Sequence, residues 1–101
     1  MFGQVYSQSD IKQRLVPVLE SYGVNRAVLF GSYGKGLATV DSDVDLLVDS
    51  GLKGLNFVGL VESIREALDD KAVDVIDVTH IMPESRVDTE IKKTGVVIYA
   101  K

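Results

Sequence analysis

The feature that most constrains the fold is a short glycine-rich connection between two apolar strands. The first predicted strand, Val24 to Phe30, ends in four consecutive apolar residues, and the second, Asp43 to Val48, reads DVDLLV. Only the residues GSYGKGLATVDS join them. Parallel neighbours need a longer, usually helical crossover, which this connection is too short to provide. We therefore expect the two strands to be antiparallel neighbours in a mixed sheet.

Hydrophobic periodicity predicts helices on either side of this strand pair. The first helix, Ser7 to Tyr22, has Ser7 as its N-cap and is followed by Gly23. Pro17 lies inside the pattern and removes a backbone hydrogen bond, so we expect either a kink or a later start. The other predicted elements are a helix over 56–68, a strand over 72–77, a weaker helix over 83–94 and a strand over 96–100. The order predicts an α+β fold, a mixed central sheet flanked by helices.

Composition limits the classes of function. A chain of 101 residues, 46% of them hydrophobic, suits one compact domain over residues 1–101. The net charge is −4 with the basic residues scattered, so direct nucleic-acid binding is not expected. The absence of cysteine excludes disulfides and thiolate chemistry. Neither a signal sequence nor an apolar run of membrane-spanning length is present, so we expect a soluble cytoplasmic protein with no membrane contact.

The most informative polar residues are aspartates on the predicted strands. Asp43 and Asp45 are two residues apart, so their side chains leave the same face of a strand. On the strand over 72–77, Asp74 and Asp77 lie on opposite faces, so only one can face that pair, and we choose Asp74. Three carboxylates on adjacent strands would suit two hard divalent cations such as Mg²⁺ in phosphoryl transfer.

Simpler explanations compete with a metal site. Aspartates at strand ends are often turn formers or solvated charges. The DSDVD stretch also resembles the start of an EF-hand loop, but Leu46 and Leu52 occupy the positions that need glycine and glutamate. His80, the only histidine, follows the third strand, where we expect a structural or solvent-facing role.

The glycine-rich connection has the composition of a phosphate-binding turn. Gly31 and Ser32 follow a buried strand, where a small residue lets backbone N–H groups approach an anion and a hydroxyl can add a donor. The connection is not a Walker P-loop, because Leu37 follows Gly36 where that motif has lysine. An ordinary turn is the alternative explanation of the glycines.

Taken together, GSYGKG followed by SDVDLLV resembles the signature of the DNA polymerase β-like nucleotidyltransferase superfamily. The resemblance implies that a Gly-Ser turn holds the triphosphate and that three aspartates bind two Mg²⁺ ions. The residues that match this signature in order are Gly31, Ser32, Asp43, Asp45 and Asp74. Two positions depart from it: Gly34 and Lys35 stand where the usual motif has alanine and arginine, so Lys35 is the candidate for the basic phosphate contact.

The short chain looks most like the minimal nucleotidyltransferase (MNT) group. That resemblance implies an antitoxin that transfers AMP from ATP to a tyrosine of a HEPN-type ribonuclease toxin. One alternative is a small-molecule, antibiotic-type nucleotidyltransferase, whose missing pocket a homo-oligomer could complete. Another is a catalytically idle module that only binds a partner. The resemblance names neither the acceptor nor the residues that would bind the base.

Overall fold

In the computed structural model, which describes residues 5–101, a four-stranded sheet is flanked by helices. The elements, in chain order, are α1 (Gln8–Ser21), β1 (Arg26–Phe30), α2 (Gly31–Lys35), β2 (Val44–Asp49), α3 (Leu55–Ala67), β3 (Val73–Asp77), a 3-10 turn (Val78–His80), α4 (Arg86–Thr94) and β4 (Val96–Ala100). Residues 1–4 lie outside the described part. The predictions of one domain over 1–101 and of no signal sequence include these residues.

The sheet is mixed, with the strand order β3-β2-β1-β4. β1 is antiparallel to β2 and to β4, whereas β2 and β3 are parallel and joined through α3. The antiparallel pairing predicted from the short connection is therefore confirmed, as is the α+β class. Among residues 5–101, no helix is both long and apolar enough to span a bilayer.

The two faces of the sheet carry cores of different size. Alternate residues of each strand point to the same face, so one set packs under α1 and α3 and the other under α4. The larger core includes Ile11, Leu15 and Leu19 of α1, all fully buried. Each such side chain contributes about 1.5–3 kcal/mol through burial. The smaller core under α4 is formed by Val28, Phe30, Leu47, Ile76, Ile81, Val87 and Ile91.

Several predicted boundaries were wrong for identifiable reasons. The stretch Gly31–Lys35, predicted as part of a loop, is helical, and the Gln8 side chain donates hydrogen bonds to the carbonyls of Tyr33 and Gly34 at its end. Because Gln8 is distant in sequence, local glycine content could not reveal this support. The first helix, α1, starts at Gln8 with a Ser7 capping box, so a start after Pro17 is excluded.

The last helix and the first strands also begin later than predicted. α4 starts at Arg86 rather than at Pro83, because Ser85 caps it by accepting the N–H of Asp88. β1 begins two residues after Val24, and β2 begins at Val44, directly after Asp43. The short turn after β3 was not predicted.

Asp77 closes β3 and forms that turn. Its Oδ1 accepts the backbone N–H and the hydroxyl of Ser50, the latter at 2.6 Å, and its Oδ2 accepts the N–H and hydroxyl of Thr79. Burial alone would raise the pKa of Asp77, but these four hydrogen bonds outweigh it and lower the pKa to about 2. The charged carboxylate therefore ties the end of β3 to the segment that follows β2.

We predict that Asp77→Ala lowers the free energy of unfolding by about 2 kcal/mol at pH 7, the value that a pKa of about 2 against 3.8 in the unfolded chain implies. The folded-state pKa is the lower one, so this stabilisation is present above pH 4 and is lost as the pH falls towards 2. Denaturant titrations at pH 7 and at pH 2 to 3 measure both values. Glu66→Ala, at an exposed position, serves as the control. An equal loss at both pH values would contradict the prediction.

Candidate active site

The candidate site lies where β1 runs into α2, beside the start of β2. In the antiparallel register Phe30 is opposite Asp45, which brings the next residue, Gly31, over the Asp45 side chain. A Cβ atom added to Gly31 would collide with Oδ2 of Asp45, and Gly31 has a φ of +69°, a conformation that favours glycine. Glycine is therefore required here by both the backbone and the neighbouring carboxylate.

Asp45 and Asp74 are direct partners across the parallel pair of β2 and β3. Such neighbours are separated by one strand spacing, about 4.8 Å. Both residues lie on the α4 side of the sheet. Leu47 and Ile76, two residues further along the same strands, point to the same side and belong to the core there. Asp43, exposed, precedes β2 by one residue. By contrast, the side chain of Asp77, three residues after Asp74, leaves the opposite face of β3. Its hydrogen bonds hold it away from this group.

The electrostatics show that these carboxylates act on one another. Asp45 is half-buried, and this burial is the main cause that raises its pKa. The negative charges of Asp74, Asp43 and Glu90 raise the pKa of Asp45 further. Asp45 is therefore repelled by three neighbouring carboxylates, and a cation beside it would relieve this repulsion.

The donor set fits Mg²⁺ chemically, because carboxylate oxygens are the ligands this ion prefers. Within residues 5–101, no three histidine, cysteine or acidic side chains are already gathered into a metal-binding cluster. Asp43 and Asp74 are exposed, so their side chains are free to rotate towards Asp45. The strand register aligns Asp45 with Asp74.

The glycine turn differs in detail from the expectation that its backbone amides face an anion. The N–H of Gly31 already donates to Oγ1 of Thr94 at 3.1 Å. Ser32, next along the turn, is half-buried, and its carbonyl accepts the N–H of Leu37 at 2.9 Å. The position of Gly31 is thus fixed by α4 on one side and by the carboxylate of Asp45 on the other.

The two residues that depart from the usual motif, Gly34 and Lys35, both lie against α4. A Cβ at Gly34 would strike the carbonyl oxygen of Thr94, so the glycine allows α2 to pack directly on the end of α4. Lys35 forms an ion pair with Glu90 at 3.3 Å, and both side chains are more than a third exposed. Such a pair is worth at most about 1 kcal/mol, so other anions can compete for Lys35.

Glu90 and Thr94 were not identified from the sequence. They are four residues apart, which places them on one face of α4. The spacing shows that the two side chains share a face of the helix. No neighbouring sequence feature indicated that this face would lie against α2. Arg86, Lys92 and Lys93, also on α4, are exposed as a solvated helix face would be.

Three tyrosines that could in principle stack on a nucleotide base instead belong to the larger core or pack against it. Tyr6 and Tyr33 are buried in the larger core, and Tyr99 packs against it while partly exposed. His80 is exposed in the turn after β3, as expected for a solvent-facing residue. This turn lies at the opposite end of the β2–β3 pair from Asp45.

Comparison with known proteins identifies the family of this chain. Residues 13–101 match the family model described as "Polymerase beta, Nucleotidyltransferase". A protein of Methanocaldococcus jannaschii named "Putative protein adenylyltransferase" is 38% identical over 77 residues, which cover 74% of this chain and 82% of that protein.

Solved structures of other proteins share the fold. The structure of a "putative minimal nucleotidyltransferase" has a TM-score of 0.73 at 23% identity and covers 93% of this chain and 98% of its own. The MNT antitoxin complex with the tri-AMPylated HEPN toxin of Shewanella oneidensis has a TM-score of 0.68 at 19% identity, covering 93% of this chain and 73% of the matched one. By its sequence match over most of its length, this chain is a nucleotidyltransferase of the polymerase β family.

Proposed function

We propose that this chain is a single-domain, magnesium-dependent cytoplasmic enzyme that transfers AMP from ATP to a hydroxyl group of a partner protein. The observation that carries the proposal is the placement of Gly31 directly over Asp45, with Asp74 in register beside it. A glycine turn and two aligned carboxylates on neighbouring strands are the arrangement that nucleotidyl transfer needs.

In the proposed reaction, the acceptor oxygen attacks the α-phosphorus of ATP in line with the leaving group. The new oxygen–phosphorus bond forms as the bond between the α-phosphorus and the bridging oxygen breaks, and pyrophosphate leaves with that electron pair. Asp43 and Asp45 would hold both Mg²⁺ ions, and Asp74 would hold the one on the acceptor side. Bound Mg²⁺ would supply charge neutralisation of the triphosphate and activation of the acceptor hydroxyl.

The other roles belong to the turn and to Asp74. Gly31 and Ser32 would lie against the departing phosphates, and Lys35 would exchange Glu90 for a phosphate oxygen, since its present ion pair is half-exposed. Asp74, which is exposed, is placed to help take up the proton of the acceptor hydroxyl.

The proposed partner is a HEPN-type toxin, with a tyrosine hydroxyl as the acceptor. The AMPylated HEPN toxin in the Shewanella complex and the name of the Methanocaldococcus relative support this choice. A net charge of −4 suits a protein acceptor better than a nucleic acid. In this reading the enzyme is an antitoxin that neutralises its partner by covalent modification.

The proposal is tested with ATP labelled at either the α- or the γ-phosphate, incubated with Mg²⁺ and the product of the neighbouring gene. We expect the partner to acquire label from the α position only, and to acquire none when EDTA is present during the incubation. Label from the γ position would indicate a kinase. Absence of any transfer, with the partner still inhibited, would identify a binding module instead.

We predict that Asp45→Asn and Asp74→Asn each lower the transfer rate by roughly 10²–10³-fold, because each removes a charged ligand from the reaction centre. Asp49→Asn is the matched control. It makes the same change on the same face of β2, four residues from Asp45. Initial rates of α-label transfer at saturating Mg²⁺ measure the effect, and similar losses in all three variants would sink the assignment.

We also predict that Gly31→Ala abolishes most of the transfer while Gly36→Ala retains it. Both glycines have positive φ values, +69° and +74°, so both alanines bear a similar backbone cost. Only at Gly31 does the added Cβ meet the Asp45 carboxylate; at Gly36 the space is open. Thermal unfolding of both variants beside the transfer assay separates stability from activity, and equal activities would contradict the predicted clash.

A further inference from the structure

The last turn of α4 touches α2 at both of its glycines. The hydroxyl of Thr94 accepts the N–H of Gly31 at 3.1 Å, and the backbone carbonyl of Thr94 lies against Gly34, where no Cβ would fit. The Thr94 hydroxyl donates its own hydrogen to the carbonyl of Glu90 at 2.8 Å. A threonine hydroxyl has a single hydrogen, so this donation leaves only lone pairs to face Gly31.

Gly31 needs such a restraint more than another residue would. Glycine has no side chain to limit its backbone, and it can adopt both positive and negative φ values. In the required conformation, with a φ of +69°, the carboxylate of Asp45 occupies the space where a Cβ of residue 31 would lie. The hydrogen bond to Thr94 is a specific contact that holds the Gly31 peptide in that orientation.

A second contact of the same helix reinforces the arrangement. Glu90, one turn before Thr94, forms the 3.3 Å ion pair with Lys35 at the end of α2. α4 thus contacts the first and the last residue of α2 through side chains that share one of its faces. A displacement of α4 would move the whole turn relative to the carboxylates of β2 and β3.

We propose that Thr94 is a positioning residue for nucleotidyl transfer, which fixes the Gly31 peptide against Asp45 and so sets where the triphosphate binds. The inference rests on the proposed function of this site. Thr94 acts through Gly31, and its hydroxyl is already shared between Gly31 and the Glu90 carbonyl. Its role is therefore to hold the turn rather than to contact the reacting atoms.

The test compares three variants of the full chain. Thr94→Val keeps the side-chain shape but removes the acceptor, Thr94→Ser keeps the hydroxyl, and Thr89→Val makes the same change at an exposed position of α4. The probe is an ATP analogue with a methylene group between the α- and β-phosphorus, titrated in Mg²⁺ by calorimetry. We expect Thr94→Val to weaken its binding about tenfold, the effect of one lost hydrogen bond, whereas the other two variants bind like the original chain.

A merely structural role predicts a different result. Thr94→Val would then lower the melting temperature but leave the affinity of the folded protein for the analogue unchanged, and this outcome would overturn the inference. Transfer of α-label measured in parallel keeps the two proposals apart. If the original chain binds the analogue and transfers nothing, the proposed function fails while the affinity ratio still decides on Thr94. If Thr94→Val binds normally in a chain that transfers AMP, only the inference fails.

Discussion

The antiparallel ladder between β1 and β2 is the constraint on which the rest of the site depends. It places Phe30 opposite Asp45, so the first residue beyond β1 must pass over that carboxylate. Only a residue without a side chain fits there, and the chain has Gly31. The position of the glycine turn relative to the acidic residues is thus determined by strand register rather than by the turn itself. Shifting the ladder by one residue would turn Asp45 to the opposite face.

The sequence allowed the strands and the alignment of their aspartates to be predicted because both depend on local patterns. The length of the connection after Phe30 determined strand direction, and the alternation along β3 separated Asp74 from Asp77. The supporting contacts were not predictable in the same way. Gln8 stabilises α2 from 25 residues away, and Ser50 holds Asp77 from 27 residues away. Such contacts exist only once the sheet has brought distant segments together.

The same limit explains why the role of α4 was missed. In sequence, Arg86–Thr94 is a short, polar helix with few apolar positions. Its apolar residues Val87 and Ile91 cover the smaller core, and this packing turns Glu90 and Thr94 towards α2. Hydrophobic burial on one part of the helix therefore orients polar groups on another. The spacing of apolar residues shows that such a helix is amphipathic, but not which element its polar residues will meet.

The strand order has a consequence for the size of molecule that this site admits. β3 is an edge strand in the described sheet, so Asp74 stands at the border of that sheet, and the residue is exposed. On that flank, a bulky acceptor meets no wall of neighbouring strand before it reaches the carboxylates. An open surface of this kind selects poorly among small ligands, since it encloses little of their surface. It suits a reactant that brings its own shape and supplies the missing wall as it docks.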